Sequence, residues 1–161
     1  MTDTEIFHKL LPMVLLDRAA AKVYNPIFCH GSREALKAAE KQIEKVISET
    51  LLDVKVIRID GPDFLNRIMH SLKEGGDIFR FAKSCGGGDI LILSGLEEFA
   101  GKELASECLY YILDDYLLRG HAIIAFAQTP PIGIVKLAPR IRAQLEGGIL
   151  LDLGTGPGET V

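Results

Sequence analysis

Apolar residues along this chain fall into short continuous runs separated by stretches in which they recur every three or four positions. Ile27–His30, Val54–Ile59, Asp89–Leu93, Ala122–Ala127 and Gly148–Leu153 are runs of the first kind, and they predict five strands. After Ser32, a suitable N-cap, Leu36, Ala39, Ile43, Val46, Ile47 and Thr50 recur at helical spacing with Glu40, Lys41, Glu44 and Lys45 opposite. Phe64, Ile68 and Leu72 mark a helix that Gly75–Gly76 stops, and Asp77–Ser84 makes a brief further one. Lys102–Arg119 is a long helix with Gly120 placed as its cap, and a short helix near Pro139–Leu145 follows Pro130–Pro131. Ahead of the first strand, residues 2–11 predict a short helix ended by Pro12, then a second short helical or irregular segment over Met13–Lys22.

Strands that alternate with helices and are apolar along their length imply a parallel sheet buried on both faces. The expected class is therefore α/β, with three layers around a five-stranded parallel sheet. Gly86–Gly87–Gly88 enters a strand, whereas an anion-binding glycine loop leaves a strand and opens a helix, so it reads as a flexible connector.

Composition narrows the function classes. With 161 residues, 48% hydrophobic, the chain is the size of one domain with one core. No apolar run approaches the roughly 20 residues that span a bilayer, and no leader pattern opens the chain, so a cytoplasmic protein is expected. A net charge of −4, with its basic residues scattered, argues against binding nucleic acid mainly through counterion release. Cys29, Cys85 and Cys108 and the isolated histidines lack metal-ligand spacing, so no metal site is expected.

The stretch with most chemical content is Tyr24–Lys37, where a short strand ends in Gly31 and a helix opens directly after it. Four stretches resemble the ATPase domain of the bacterial replication initiator DnaA, an AAA+ protein with a P-loop NTPase-like fold. They are Lys22–Gly31, the paired helices around Asp63–Asn66 and Phe79–Ser84, Asp89–Glu103, and Ile123–Pro131 followed by Leu137–Arg142. The resemblance implies a core over residues 22–153, an N-terminal helical segment over 1–21 and a flexible tail over 154–161. The family's lid and DNA-binding domain are not expected in this chain.

Against the family's phosphate loop, Gly31–Ala38 keeps only Gly31 and Lys37 as vestigial nucleotide contacts, and Ala38 stands where a hydroxyl ligates Mg²⁺. Ser94–Gly95 replaces the family's two consecutive acids, Ala127–Gln128 its polar-acidic sensor pair, and Gln144 its trans-acting arginine. Glu97 and Glu98 are not expected to reach the position of the missing acids. Phosphoryl transfer depends on positioning and charge, so the resemblance with these departures implies a non-enzymatic domain without a required cofactor. The expected role is a protein-interaction module, a regulator or adaptor of replication whose partner is the initiator, the replicative helicase or a second copy, with Arg140 and Arg142 as interaction residues. The alternatives are weak ATP or ADP sensing without hydrolysis, and weak single-strand nucleic-acid binding through Lys73, Arg80 and Lys83, with Leu104 replacing one of the family's basic contacts.

Overall fold

Ile27–His30 (β1), Val56–Asp60 (β2), Ile90–Ser94 (β3), Ala122–Ala127 (β4) and Ile149–Asp152 (β5) form one sheet in a computed structural model that describes residues 1–50 and 53–156. The spatial order is β2-β3-β4-β1-β5 and every pairing is parallel. The three-layer α/β architecture is as the alternation of strands and helices predicts. Along β3, Leu91 and Leu93 face one layer while Ile90 and Ile92 face the other, and Ile123, Ala125 and Ala127 alternate with Ala122, Ile124 and Phe126 along β4. Both sets are buried, which is why these strands read as unbroken apolar runs.

One layer holds Gly61–Lys73 (α4), Ile78–Ser84 (α5), Glu103–Arg119 (α6) and Pro139–Glu146 (α7), packed through Phe64, Phe99, Leu109, Tyr116 and Ile141. The opposite layer holds Asp3–Leu16 (α1), Arg18–Val23 (α2) and Arg33–Thr50 (α3), packed through Phe7, Leu11, Ile43 and Val46. The edge strand β2 departs from the apolar pattern: Arg58 and Asp60 are exposed, and Arg58 reaches Glu44 of α3 at 3.4 Å. Charged side chains on an edge strand discourage pairing with a second sheet.

Pro12 does not end the first helix. It lies inside α1, where its missing N–H forgoes only the bond to the exposed His8, while Val14 and Leu15 beyond the predicted stop are buried. Burying two apolar side chains, at about 1.5–3 kcal/mol each, outweighs one lost helical bond. The break comes at Asp17, whose carboxylate caps α2 by accepting from Ala19 N at 2.9 Å. The triple glycine is likewise less free than expected. A Cβ at Gly88 would meet the Tyr116 hydroxyl at 2.6 Å, and His121 Nδ1 lies 2.8 Å from the Gly88 carbonyl.

Candidate functional site

The chain leaves β1 through α3 on one face of the sheet and leaves β4 through α7 on the other. The crevice between the C-terminal ends of β1 and β4 is thus the topological switch point, where open α/β sheets bind ligands. Gly31 and Ser32 join β1 to α3 there. Ser32 Oγ accepts from Ala35 N at 3.1 Å, so α3 begins with an ordinary serine cap. The pairing of β1 with β5 continues beyond both strands: Leu153 N donates to His30 O and Ser32 N to Gly154 O, each at 2.8 Å. Gly156 N then donates to Ser32 Oγ at 3.2 Å.

The segment after β5 therefore runs across the first turn of α3. A Cβ on Gly156 would come within 2.8 Å of Ala35 N and 2.7 Å of Glu34 Cβ, and one on Gly31 within 2.9 Å of Gly154 O. Both glycines serve close backbone approach. The tail expected to be mobile thus opens with two hydrogen-bonded glycines, Gly154 and Gly156, and 157–161 lie outside the described residues. Lys37 is exposed on the second turn of α3, away from this contact. Ser32→Ala, which removes both the cap and the acceptor for Gly156, should cost about 1–2 kcal/mol, read as a lower urea midpoint with an unchanged slope.

At the end of β3, Ser94 Oγ donates to Asp60 Oδ1 on the neighbouring strand at 3.5 Å. Gly95 takes a left-handed φ of 66°, and a Cβ there would meet Gly61 N at 3.0 Å and Pro62 Cδ at 3.1 Å. That turn redirects the chain into a short 3₁₀ segment, Leu96–Phe99, which folds Glu97 back to the C-terminal end of the central strand β4. Glu97 Oε1 accepts from Gln128 N at 2.8 Å at the end of β4, a contact reached because the chain turns at Gly95. Nearby, burial pushes the Glu40 carboxyl above its ordinary range, with Arg58 opposing and Glu44 and Asp60 adding to the rise. Among the described residues no group of three or more His, Cys, Asp or Glu side chains is arranged to hold a metal ion.

Gln144 turns inward, donating from Nε2 to the Tyr110 carbonyl at 3.2 Å, while its Oε1 is buried without a partner. Arg140 is exposed with its guanidinium 4.2 Å from the Tyr110 ring centroid, and Arg142 pairs with Glu146 at 3.1 Å. Lys73, Arg80 and Lys83 do not line one cleft. Arg80 lines a cleft between α4 and α5, Lys83 lines another against α6 with Asp115 and Arg119, and Lys73 lines neither. Sequence reasoning missed Gly154 and Gly156, although a Gly-x-Gly directly after a strand is a signal of close backbone approach. It also missed Asp60, whose contact with Ser94 depends on strand register. No helix among the described residues is long and apolar enough to cross a membrane.

Residues 12–152 match the family described as the bacterial DnaA ATPase domain. AMPPCP-bound DnaA from Aquifex aeolicus is similar at a TM-score of 0.76 and 25% identity, over 92% of this chain and 44% of that one. The replication initiator DnaA bound to AMPPCP and single-stranded DNA gives 0.77 and 25%, over 89% and 44%. Domain III of the Thermotoga maritima replication initiation protein DnaA gives 0.80 at 20% identity, over 96% and 63%, a likeness of fold. This chain spans less than half the length of the first two. With the family match running from within α1 to the end of β5, the chain belongs to the bacterial DnaA ATPase-domain family of AAA+ proteins, related to replication initiation.

Proposed function

We propose that this chain is a catalytically inactive DnaA-like AAA+ domain that works as a protein-interaction module, a regulator or adaptor of replication initiation. The observation that carries the reading is the closed start of α3. A phosphate group needs free backbone N–H groups and open space there. Here Ser32 caps Ala35 N, Gly154 O takes Ser32 N, and the backbone of Gly156 lies against Ala35 N. Mg²⁺-nucleotide does not fit this arrangement, because the position of its phosphates is filled by the chain's own backbone.

Three further contacts support the same reading. Gly95 has neither the space nor the backbone conformation for a carboxylate-bearing side chain. Glu97 is held by Gln128 N, and Gln144 turns into the protein, whereas a trans-acting residue must project from it. On this reading Gly31 is kept for its approach to Gly154 and Lys37 as a solvated helix residue. The partner is the initiator, the replicative helicase or a second copy of the chain.

Thermal unfolding of the whole chain with and without Mg-ATP and ADP tests the inactive half. The melting temperature should not move at millimolar nucleotide. A ligand at a hundredfold its dissociation constant stabilises by roughly 2.7 kcal/mol, and a rise of that size would replace the module with a nucleotide sensor. Recovery of no replication or nucleic-acid-processing protein with the tagged chain from its native cells would remove the partner half.

A further inference from the structure

The helices α4 and α5 enclose a cleft of about 560 Å³ lined by Asn66, Arg67, His70, Ser71 and Arg80, with Gly75–Gly76 at the turn between them. Two guanidinium groups and an imidazole thus border one open space in a protein whose net charge is −4. Among the described residues, no ion pair joins Arg67, His70 or Arg80 to a carboxylate. Glu74 is the one acid on the cleft wall. Arg67 is also held in place, its guanidinium 5.3 Å from the ring centroid of Phe81. An arginine stacked on an aromatic face has in-plane N–H donors, one of which engages the Cys85 thiol here, and it gives up less side-chain freedom when it binds a carboxylate.

We propose that this cleft is the docking point of the module and that it takes an acidic segment of a partner protein, seating Asp or Glu carboxylates on Arg67 and Arg80. The assignment rests on the reading of the chain as an interaction module and adds the surface and the chemistry of its partner. Carboxylates supply the missing counter-charges in bidentate geometry. A nucleic-acid strand fits less well, since its backbone requires a track of cations beyond one cleft. Lys73 lies outside the cleft and Lys83 lines a different one. Phe81, the one phenyl ring in the cleft, is half-buried between Phe64 and Arg67, which leaves it poorly placed as a stacking platform for a base.

Titration of the ¹⁵N-labelled full chain with acetylated, amidated octaglutamate, followed by amide shifts, tests the proposal. Shifts should centre on residues 66–81, and affinity should fall steeply between about 0.05 and 0.5 M salt. Arg67→Glu with Arg80→Glu should weaken binding about tenfold or more, and the milder Arg67→Gln with Arg80→Gln should weaken it less. Preserved amide dispersion in either pair shows that folding is intact, and both replaced side chains are exposed. Absence of cleft-centred shifts at about 1 mM peptide overturns the proposal, as does affinity unchanged by both pairs. Stronger cleft-centred shifts with dodecathymidylate overturn it in favour of nucleic acid. The two readings fail separately: nucleotide-dependent stabilisation would strike the inactive module without touching the cleft, and a silent peptide titration would strike the cleft alone.

Discussion

An acidic pair built at Ser94 and Gly95 should lower the melting temperature by about 5–15 °C and leave ATP turnover at background. Gly95 holds a φ of 66°, a conformation that costs an L-residue about 1–2 kcal/mol. Its new Cβ would also press on Gly61 N at 3.0 Å and Pro62 Cδ at 3.1 Å, both parts of the turn that starts α4. The approach is close from both sides, since a Cβ on Gly61 would in turn meet the Gly95 carbonyl. At Ser94 a carboxylate would arrive beside Asp60, whose Oδ1 is now 3.5 Å from the serine hydroxyl, so two like charges would face each other across adjacent strands. The sum is about 2–4 kcal/mol, and for a domain of this size each kcal/mol moves the midpoint by about 2–4 °C. Calorimetry alongside a Mg-ATP turnover assay reads both halves. Gly95→Ala separates strain from charge and should give roughly half of the loss. Measurable turnover, or a melting temperature that stays put, would falsify the view that packing has closed the end of β3.

Much of this architecture is written locally. The two-faced burial of β3 and β4 makes each a continuous apolar run, and α3 shows its buried face through Ala35, Ala39, Ile43 and Val46 at helical spacing. Ser32 is readable as an N-cap from its residue type and place alone. Features set by distant parts of the chain were not legible in this way. Pro12 is locally a helix stop, but the sheet beneath α1 buries Leu11, Val14 and Leu15 on both sides of it. Glu97 returns to β4 because Gly95 turns left-handed and Leu96 and Phe99 are drawn into the core, which strand periodicity does not encode. Gly31 looks locally like the relic of a phosphate loop. Only the register of β5 beside β1 gives it the neighbour, Gly154, that accounts for it. Arg67, Arg80 and His70 lie on two helices, and only the α4–α5 turn brings them to one cleft.

The same register makes the N-terminal helix more than the separate segment that a boundary after residue 21 implies. Phe7 is 1% exposed and Leu11 fully buried in the layer formed with Ala35, Ile43 and Leu151. Asp3 Oδ2 accepts from Asp152 N at 2.7 Å, occupying an outward-facing donor on the free edge of β5. Phe7→Ala should therefore cost about 3–5 kcal/mol in chemical unfolding, through lost burial and the cavity left behind, whereas exposed His8→Ala should stay within about 0.5 kcal/mol of the parent. If Phe7→Ala falls in that same narrow range, α1 is an appendage and the core begins later. The test reaches the start of α3 as well. Phe7 packs in the same layer as Leu151 of β5, and Ser32 holds the segment that follows β5, so the two changes act on adjoining parts of the chain. Phe7→Ala combined with Ser32→Ala should depart from the sum of the single losses by about 0.5 kcal/mol or more, the sign of shared partners. Strict additivity would mean that the segment over α3 is fixed by Ser32 alone, and that the contact between that segment and the start of α3 does not depend on the helix that covers the edge of the sheet.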